Sequence, residues 1–265
     1  REHEGRRLLK TLKSMKKPVL LLRGGRTSRA QTAVKTHTGS LGSNGAIWRG
    51  IHKQAPVINA GKILDDLIDK TYLFKQFIER HEDLSAKVRL ERFPRGKNAL
   101  VILWSGGIGI LDSDLLTELG FHLPLFGSKI KKRLKQVYPL KIGSLSNPLD
   151  LPWIVDQDIF AEISIAAISE DIDVVFLETD APLHWETDKF DRYYQNLLKI
   201  RAHVRKLDKI FILVLPEYDH EKQRQYREKL LADGFVVYSS IRRAAESFLS
   251  LQEFGTRAFK NAMNP

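Results

Sequence analysis

From Ala99 to Leu251 the sequence alternates strand-sized apolar runs with helical stretches, and that beat limits the chain to few architectures. Ala99–Trp104, Phe121–Leu125, Val174–Glu178, Lys209–Leu215 and Phe235–Tyr238 read as strands. Leu111–Leu119, Ser128–Val137, Gln157–Ser169, Lys189–Lys206, Glu221–Asp233 and Arg242–Leu251 read as helices. Five strands alternating with helices predict a doubly wound parallel sheet of flavodoxin-like order over residues 99–254, in the α/β class. Residues 255–265 read as a tail or linker.

Upstream, residues 1–80 read as a separate, partial α/β domain. Leu8, Leu9, Leu12 and Met15 share one face of a helix over Glu4–Lys16. Pro18–Leu22 follows without alternation, as a strand covered on both faces would. Gly24-Gly25 breaks it, Ser28–Lys35 suits a short helix, and Thr36–Gly45 is a Gly/Ser/Thr/Asn loop. A helix over Ala46–Gln54 precedes the clearest amphipathic segment, Gly61–Arg80. Its apolar stripe is Ile63, Leu64, Leu67, Ile68, Phe74, Phe77 and Ile78. Residues 81–98 turn polar and basic around Pro94-Arg95-Gly96 and read as a linker.

Composition narrows the chemistry. The chain has no cysteine, which excludes disulfides, a thiolate nucleophile and cysteine-ligated zinc, and fits a cytoplasmic setting. Its 43 Lys and Arg against 32 Asp and Glu leave a net charge of +11, which favours nucleotides, phosphorylated cofactors or nucleic acid as partners. Its longest apolar runs fall far short of the roughly 18 residues that suggest a membrane span.

Three segments could carry chemistry. His37 stands among Thr36, Thr38, Gly39 and Ser40, where no bulky neighbour shields it. A neutral imidazole has a lone pair for phosphorus, and the hydroxyl of Thr38 and the amide of Gly39 can donate to phosphate oxygens. On the residues alone, an ordinary loop histidine is the stronger reading. Ser105-Gly106-Gly107-Ile108-Gly109 joins a strand to a helix, where unpaired amides attract anions. It is neither a Walker A loop nor a dinucleotide fingerprint, because Asp112 stands where the third glycine is needed. Ser146-Asn147-Pro148-Leu149-Asp150-Leu151-Pro152 reads as a rigid scaffolding turn. The basic run Lys129, Lys131, Lys132, Arg133 and Lys135 reads as a solvated helix face. Glu178, Asp180 and Glu186 lack metal-ligand spacing, and His184, His203 and His220 carry no special signal.

In order, Pro18–Arg26 with its Gly25-Arg26 ending, Thr36-His-Thr-Gly-Ser-Leu41, Ser105–Gly109 and Ser146–Leu151 resemble the NDP-forming acyl-CoA synthetases of the succinyl-CoA synthetase superfamily. The resemblance implies that His37 carries a phosphoryl group between an acyl-phosphate/CoA site and a nucleotide site. It also implies that the amides of Gly106, Gly107 and Ile108 steady the phosphorylated ring, and that Gly25, Arg26, Asn147, Pro148 and Asp150 are structural. CoA and ADP/ATP or GDP/GTP with Mg2+ would be bound mostly by domains outside these residues. Those would be a Rossmann-type CoA-binding domain and an ATP-grasp domain, in the same polypeptide or a separate subunit. Thr36 stands where the family commonly has Ser, Arg23 where it has Lys and Leu149 where it has Val; none removes the nucleophile.

The implied reaction interconverts acyl-CoA, phosphate and NDP with carboxylate, CoA and NTP, and the 265 residues alone are not expected to complete it. The alternative within the superfamily is an acyl-CoA- or nucleotide-sensing regulatory module, for example one linked to an acetyltransferase; a sensor has no need of the His37 nucleophile. A nucleic-acid-binding protein ranks third, for want of interleaved aromatic and basic residues.

Overall fold

The computed structural model describes residues 4–15, 17–38, 45–138, 143–152, 157–179, 187–217 and 221–263. The chain divides into two compact units, residues 1–93 with 250–265 and residues 94–249.

The first unit contains α1 (Glu4–Ser14), β1 (Val19–Leu21), α2 (Ser28–Thr38), α3 (Gly45–Gln54), β2 (Val57–Asn59), α4 (Leu64–Arg80) and α5 (Ala86–Arg92). β1 and β2 pair in parallel, Val19 opposite Val57 and Leu21 opposite Asn59. β2 escapes a periodicity search because three residues after Pro56 hold no period. Leu12, Ile51, Ala55 and Val57 form one small core, with Leu9, Val19, Leu21 and Trp48 against it. The stripe of Gly61–Arg80 is only half used. Leu73, Phe74 and Phe77 are buried, whereas Ile63, Leu64 and Ile68 stay exposed. The helix starts at Leu64 rather than Gly61, because the Asp66 carboxylate accepts the Lys62 and Ile63 amides ahead of it.

Residues 81–98 are not the open linker that their polarity suggests. α5 is capped by Ser85, whose hydroxyl accepts the Val88 amide at 3.4 Å, and Phe93 is only 5% exposed. Phe93 stacks on Phe77 at a centroid distance of 4.3 Å and on Phe254 at 5.0 Å.

The second unit adds β3 (Ala99–Leu103), α6 (Gly106–Glu118), α7 (Ser128–Val137), β4 (Ser144–Leu145), β5 (Leu149–Asp150), α8 (Gln157–Ala167), β6 (Val174–Glu178), α9 (Thr187–Lys206), β7 (Ile210–Val214), α10 (Glu221–Ala232) and β8 (Val237–Tyr238). The last helix, α11 (Ile241–Met263), starts in this unit, and from Ser250 onward it belongs to the first. The expected tail is therefore helical through Met263. There Arg257 donates to the carbonyls of Ala55 at 2.7 Å and Val57 at 3.2 Å.

The sheet order is β4-β5-β3-β6-β7-β8, parallel except for the edge strand β4. Without that edge strand, the order in chain sequence is 2-1-3-4-5, the flavodoxin-like arrangement expected. Its second strand is a different one, however. Phe121–Leu125 contributes a single bridge, His122 to Asn98, because Pro124 has no amide to extend the ladder. The true second strand is β5, and the proline that made it look like a turn lies just outside it, where a missing N–H costs no ladder bond. All five residues of β3 are buried. Leu100 and Ile102 face the large core with Leu134, Ile163 and Leu197. On the other face, Phe121 meets Phe176 and Phe248 at 5.8 and 5.7 Å.

Candidate functional site

His37 is exposed and helical: it lies in the last turn of α2, not in a loop. The helix continues past Lys35 because Ala30, Ala33 and Lys35 are good helix formers and nothing before Gly39 breaks it. Thr27 caps the start, its hydroxyl accepting the Ala30 amide at 3.2 Å. Thr36 bonds back to the Ala33 carbonyl at 2.9 Å, so its hydroxyl is engaged within its own helix. The imidazole thus stands at the negative end of α2, which welcomes a cation and opposes an anion. Gly39 lies outside the described residues, as does the side chain of Thr38.

Gly106, Gly107 and Ile108 form the first turn of α6, after Ser105 as its N-cap. Their amides have no acceptor within the helix, as at any helix start. Here the structure adds something the sequence did not disclose. Asp150 ends the neighbouring strand β5, opposite Leu103 of β3, and a Cβ at Gly106 would stand 2.9 Å from its Oδ2. No side chain fits at 106 without moving that carboxylate. The other oxygen, Oδ1, is buried and accepts no hydrogen bond. Burial pushes the Asp150 acid above the usual carboxylate range.

One turn on, a Cβ at Gly109 would stand 3.2 Å from Leu103 and 3.6 Å from Pro148. Strand period two (148, 150) therefore meets helix period three (106, 109). A cleft of about 320 Å³ opens beside these pairs, lined also by Ile110, Ser113, Asp114, Ser144 and Ser146. Among the described residues, no lysine, arginine or histidine lines it. Sequence reasoning gave Ser146 and Asp150 a scaffolding role and missed Ser113, Asp114 and Ser144. The alternation of Pro148 and Asp150, set against Gly106 and Gly109, was the signal available.

Asn147 is the scaffold of this corner. Its side chain accepts the Val101 amide at 3.1 Å and donates to the Ala99 carbonyl at 2.7 Å and to the Pro124 carbonyl at 3.3 Å. It serves β3 as a neighbouring peptide group would. In the first unit Gly25 has φ of 68°, a left-handed turn that suits glycine. Arg26 donates to the carbonyls of Gly61 at 3.3 Å and Lys62 at 3.1 Å, tying that turn to the approach of α4. The five cations of α7 are all exposed while Leu134 faces the core. Asp180, Glu186, His184 and His220 lie outside the described residues, and among the described ones no group of three or more His, Asp or Glu side chains could hold a metal ion. Nor is any helix of the described residues long and apolar enough to cross a membrane.

Sheet order makes the second unit a flavodoxin-like α/β domain. Residues 2–74, which include His37, match the model of the succinyl-CoA ligase like flavodoxin domain. The chain is a relative of the NDP-forming acyl-CoA synthetase superfamily, as its four motifs indicated. It is 30% identical over 155 residues to the alpha subunit of acetate–CoA ligase [ADP-forming] I of Pyrococcus furiosus, a match covering 58% of this chain and 30% of that one. It is 31% identical over 148 residues to the acetate–CoA ligase [ADP-forming] of Methanocaldococcus jannaschii, covering 55% of this chain and 19% of that protein. The chain therefore spans less than a third of either relative. In fold it is similar to the dinucleotide forming acetyl-coenzyme A synthetase 1 of Ca. Korarchaeum cryptofilum, solved with phosphate and ADP. That likeness has a TM-score of 0.73 at 17% identity, over 98% of this chain and 53% of that one.

Proposed function

We propose that the chain is the phosphoryl-carrying part of an NDP-forming acyl-CoA synthetase, an acid–thiol ligase, with His37 as the carrier. The observation that carries this reading is an exposed, unshielded imidazole inside the segment that matches the succinyl-CoA ligase model. A lone-pair nitrogen of His37 attacks the phosphorus of an acyl phosphate. The N–P bond forms as the bond from phosphorus to the acyl oxygen breaks, and the carboxylate leaves with that electron pair. A terminal phosphate oxygen of a nucleoside diphosphate then attacks phosphorus, and the N–P pair returns to the ring.

Electrostatics explains why a second element is needed. A phosphoryl group on His37 puts negative charge at the negative end of α2, so its own helix offers it no stabilisation. The amides of Gly106, Gly107 and Ile108, at the positive end of α6, are the complementary receiver in this reading. Thr38 and Gly39 would donate at the carrier end. No residue of this chain is assigned to CoA, to the nucleotide or to magnesium; those belong to CoA-binding and ATP-grasp partners, whether in the same polypeptide or another subunit. The acyl substrate and the cytoplasmic setting stand as parts of the same proposal.

The test uses the complete protein with labelled nucleoside triphosphate. An acid-labile, base-stable label that disappears in His37→Ala supports the carrier. A folded, CoA-binding protein that takes no label points instead to the sensing module.

A further inference from the structure

His37 stands at the negative end of α2, which repels the anions it would have to meet. The chain around it supplies the opposite sign. Between Glu4 and Asp65 the sequence holds thirteen Lys and Arg residues and not one Asp or Glu. All 32 acids lie outside that segment, where they slightly outnumber the remaining cations. The net charge of +11 is thus a property of residues 5–64. Lys16 lies outside the described residues; of the other twelve, all but the half-buried Arg23 are exposed. Arg6, Arg7, Lys10, Lys13, Lys35 and Arg49 enter no ion pair among the described residues. Arg6, Lys10 and Lys13 form one stripe of α1, at spacings of four and three, away from the buried Leu12. α2 and α3 contain no acid at all. Arg29 and Lys35 share α2 with His37, within about 12 Å along its axis. Two guanidinium groups even converge on Gly45: Arg49 Nη1 and Arg23 Nη1 stand 3.3 and 3.6 Å from where its Cβ would be. Like charges held so close raise the local potential.

We infer that residues 5–64 form an electrostatic funnel that concentrates small phosphate-bearing anions at His37. The inference rests on the carrier reading for the identity of the anion, and it names the class: a ligand with several phosphate charges, whether a nucleoside diphosphate or an acyl phosphate. The funnel acts through the summed field of the segment, so no single lysine or arginine is the ligand. The half charge at the end of α2 is outweighed by side chains that each carry a full one. Attraction grows with the charge of the ligand. An acyl phosphate is therefore drawn in more strongly than the singly charged carboxylate that departs, and a nucleoside diphosphate more strongly still.

The field at His37 is read by alkylating the 265-residue chain with iodoacetate, an anion, and with iodoacetamide, its neutral counterpart, and mapping the modified peptides. No cysteine competes for either reagent. His122, exposed in the second unit, is the internal reference. The ratio of the two rates at each histidine cancels any difference in imidazole basicity. In about 10 mM salt the preference for the anion is expected to be about tenfold greater at His37 than at His122, and to vanish near 1 M salt. Lys10→Glu combined with Lys13→Glu, on a different helix from His37, lowers the segment's charge from thirteen to nine. That variant is expected to reduce the preference to about fivefold, since the field follows net charge rather than contact. Equal preference at the two histidines in low salt, or a preference untouched by the double charge reversal, overturns the funnel. Should the double variant not fold, the salt series in wild type decides the matter. A mixed-sequence RNA that shields His37 from both reagents at about 150 mM salt also overturns it, because the surface then serves a polymer. Should His37 take no phosphoryl label in the complete protein while the anionic reagent is still favoured, the carrier reading falls and the funnel stands. Should His37 label normally with no preference for the anion, the reverse holds.

Discussion

The side-chain amide of Asn147 donates to the carbonyl of Ala99 at 2.7 Å, at the point where β3 has no strand partner on that side. The ladder between β3 and β5 begins only at Ile102, so Ala99 and Val101 would otherwise present buried, unmatched polar groups. Asn147→Ala strips both at once. With about 1–3 kcal/mol for each unsatisfied group, the variant is expected to lose roughly 2–6 kcal/mol of stability. Asn147→Asp is expected to fare no better, because it cannot donate to Ala99 and adds a buried charge. Urea unfolding of the three proteins decides it; a loss below about 1 kcal/mol for Asn147→Ala would sink the account.

α7 gives a prediction of the opposite sign. Its ten residues carry five cations and no acid, with Lys129 and Lys131 at the helix's positive end. Lys129 and Arg133 are one turn apart, as are Lys131 and Lys135, and each pair repels. Lys129→Glu places an anion in the first turn and relieves one repulsion, so a gain of about 0.5–1 kcal/mol is expected. The gain should shrink as salt is added. A variant no more stable than wild type at low ionic strength would show that the run is already compensated.

How much of this could be read from the sequence depended on segment length. Periodicity found Ser128–Val137 and Val174–Glu178 with the boundaries observed, because each presents a full period to the core. It missed β2, β4 and β5, which have two or three residues each and are placed by neighbours rather than by their own pattern. It extended α4's buried stripe to Ile63, Leu64 and Ile68, since a pattern reveals an apolar face but not whether anything covers it. At the candidate site, local motifs found His37 and the α6 start. The approach of Asp150 to Gly106 joins positions 44 residues apart, and only the strand register creates it.

The same limit explains the missed role of the end of α11, from Phe254 onward. Phe254 meets Phe74 edge-on at 5.7 Å and Phe93 at 5.0 Å, in an aromatic cluster with Phe77. Phe93, read as part of a linker, is its buried centre. Phe93→Ala is expected to cost about 3–5 kcal/mol, the usual range for removing a buried ring. Phe254→Ala, whose side chain is only half-buried, should cost less but weaken the same transition. If the region around Phe93 is an open linker after all, tryptic cleavage at Arg92 and Arg95 should be as fast in wild type as in Phe93→Ala. Slow cleavage in wild type that quickens in the variant is the expected result.

Asp112 makes stability depend on pH in an unusual direction. It lies on the sheet-facing side of α6 between Gly109 and Leu116, is 7% exposed, and its Oδ2 has no hydrogen-bond partner. Burial pushes its acid up to about 6 from the ordinary value near 3.8. Between those two values the folded chain keeps a proton that the unfolded chain has released. The Asp112 contribution to stability therefore falls as pH rises through this window, and the full cost persists above it. Asp112→Asn removes the dependence while keeping the shape. Near neutral pH the variant is expected to be more stable than wild type by on the order of 2 kcal/mol, and around pH 4 by little or nothing. Urea midpoints for both proteins at the two pH values supply the comparison. A gain of equal size at both would mean that packing, not ionisation, separates them.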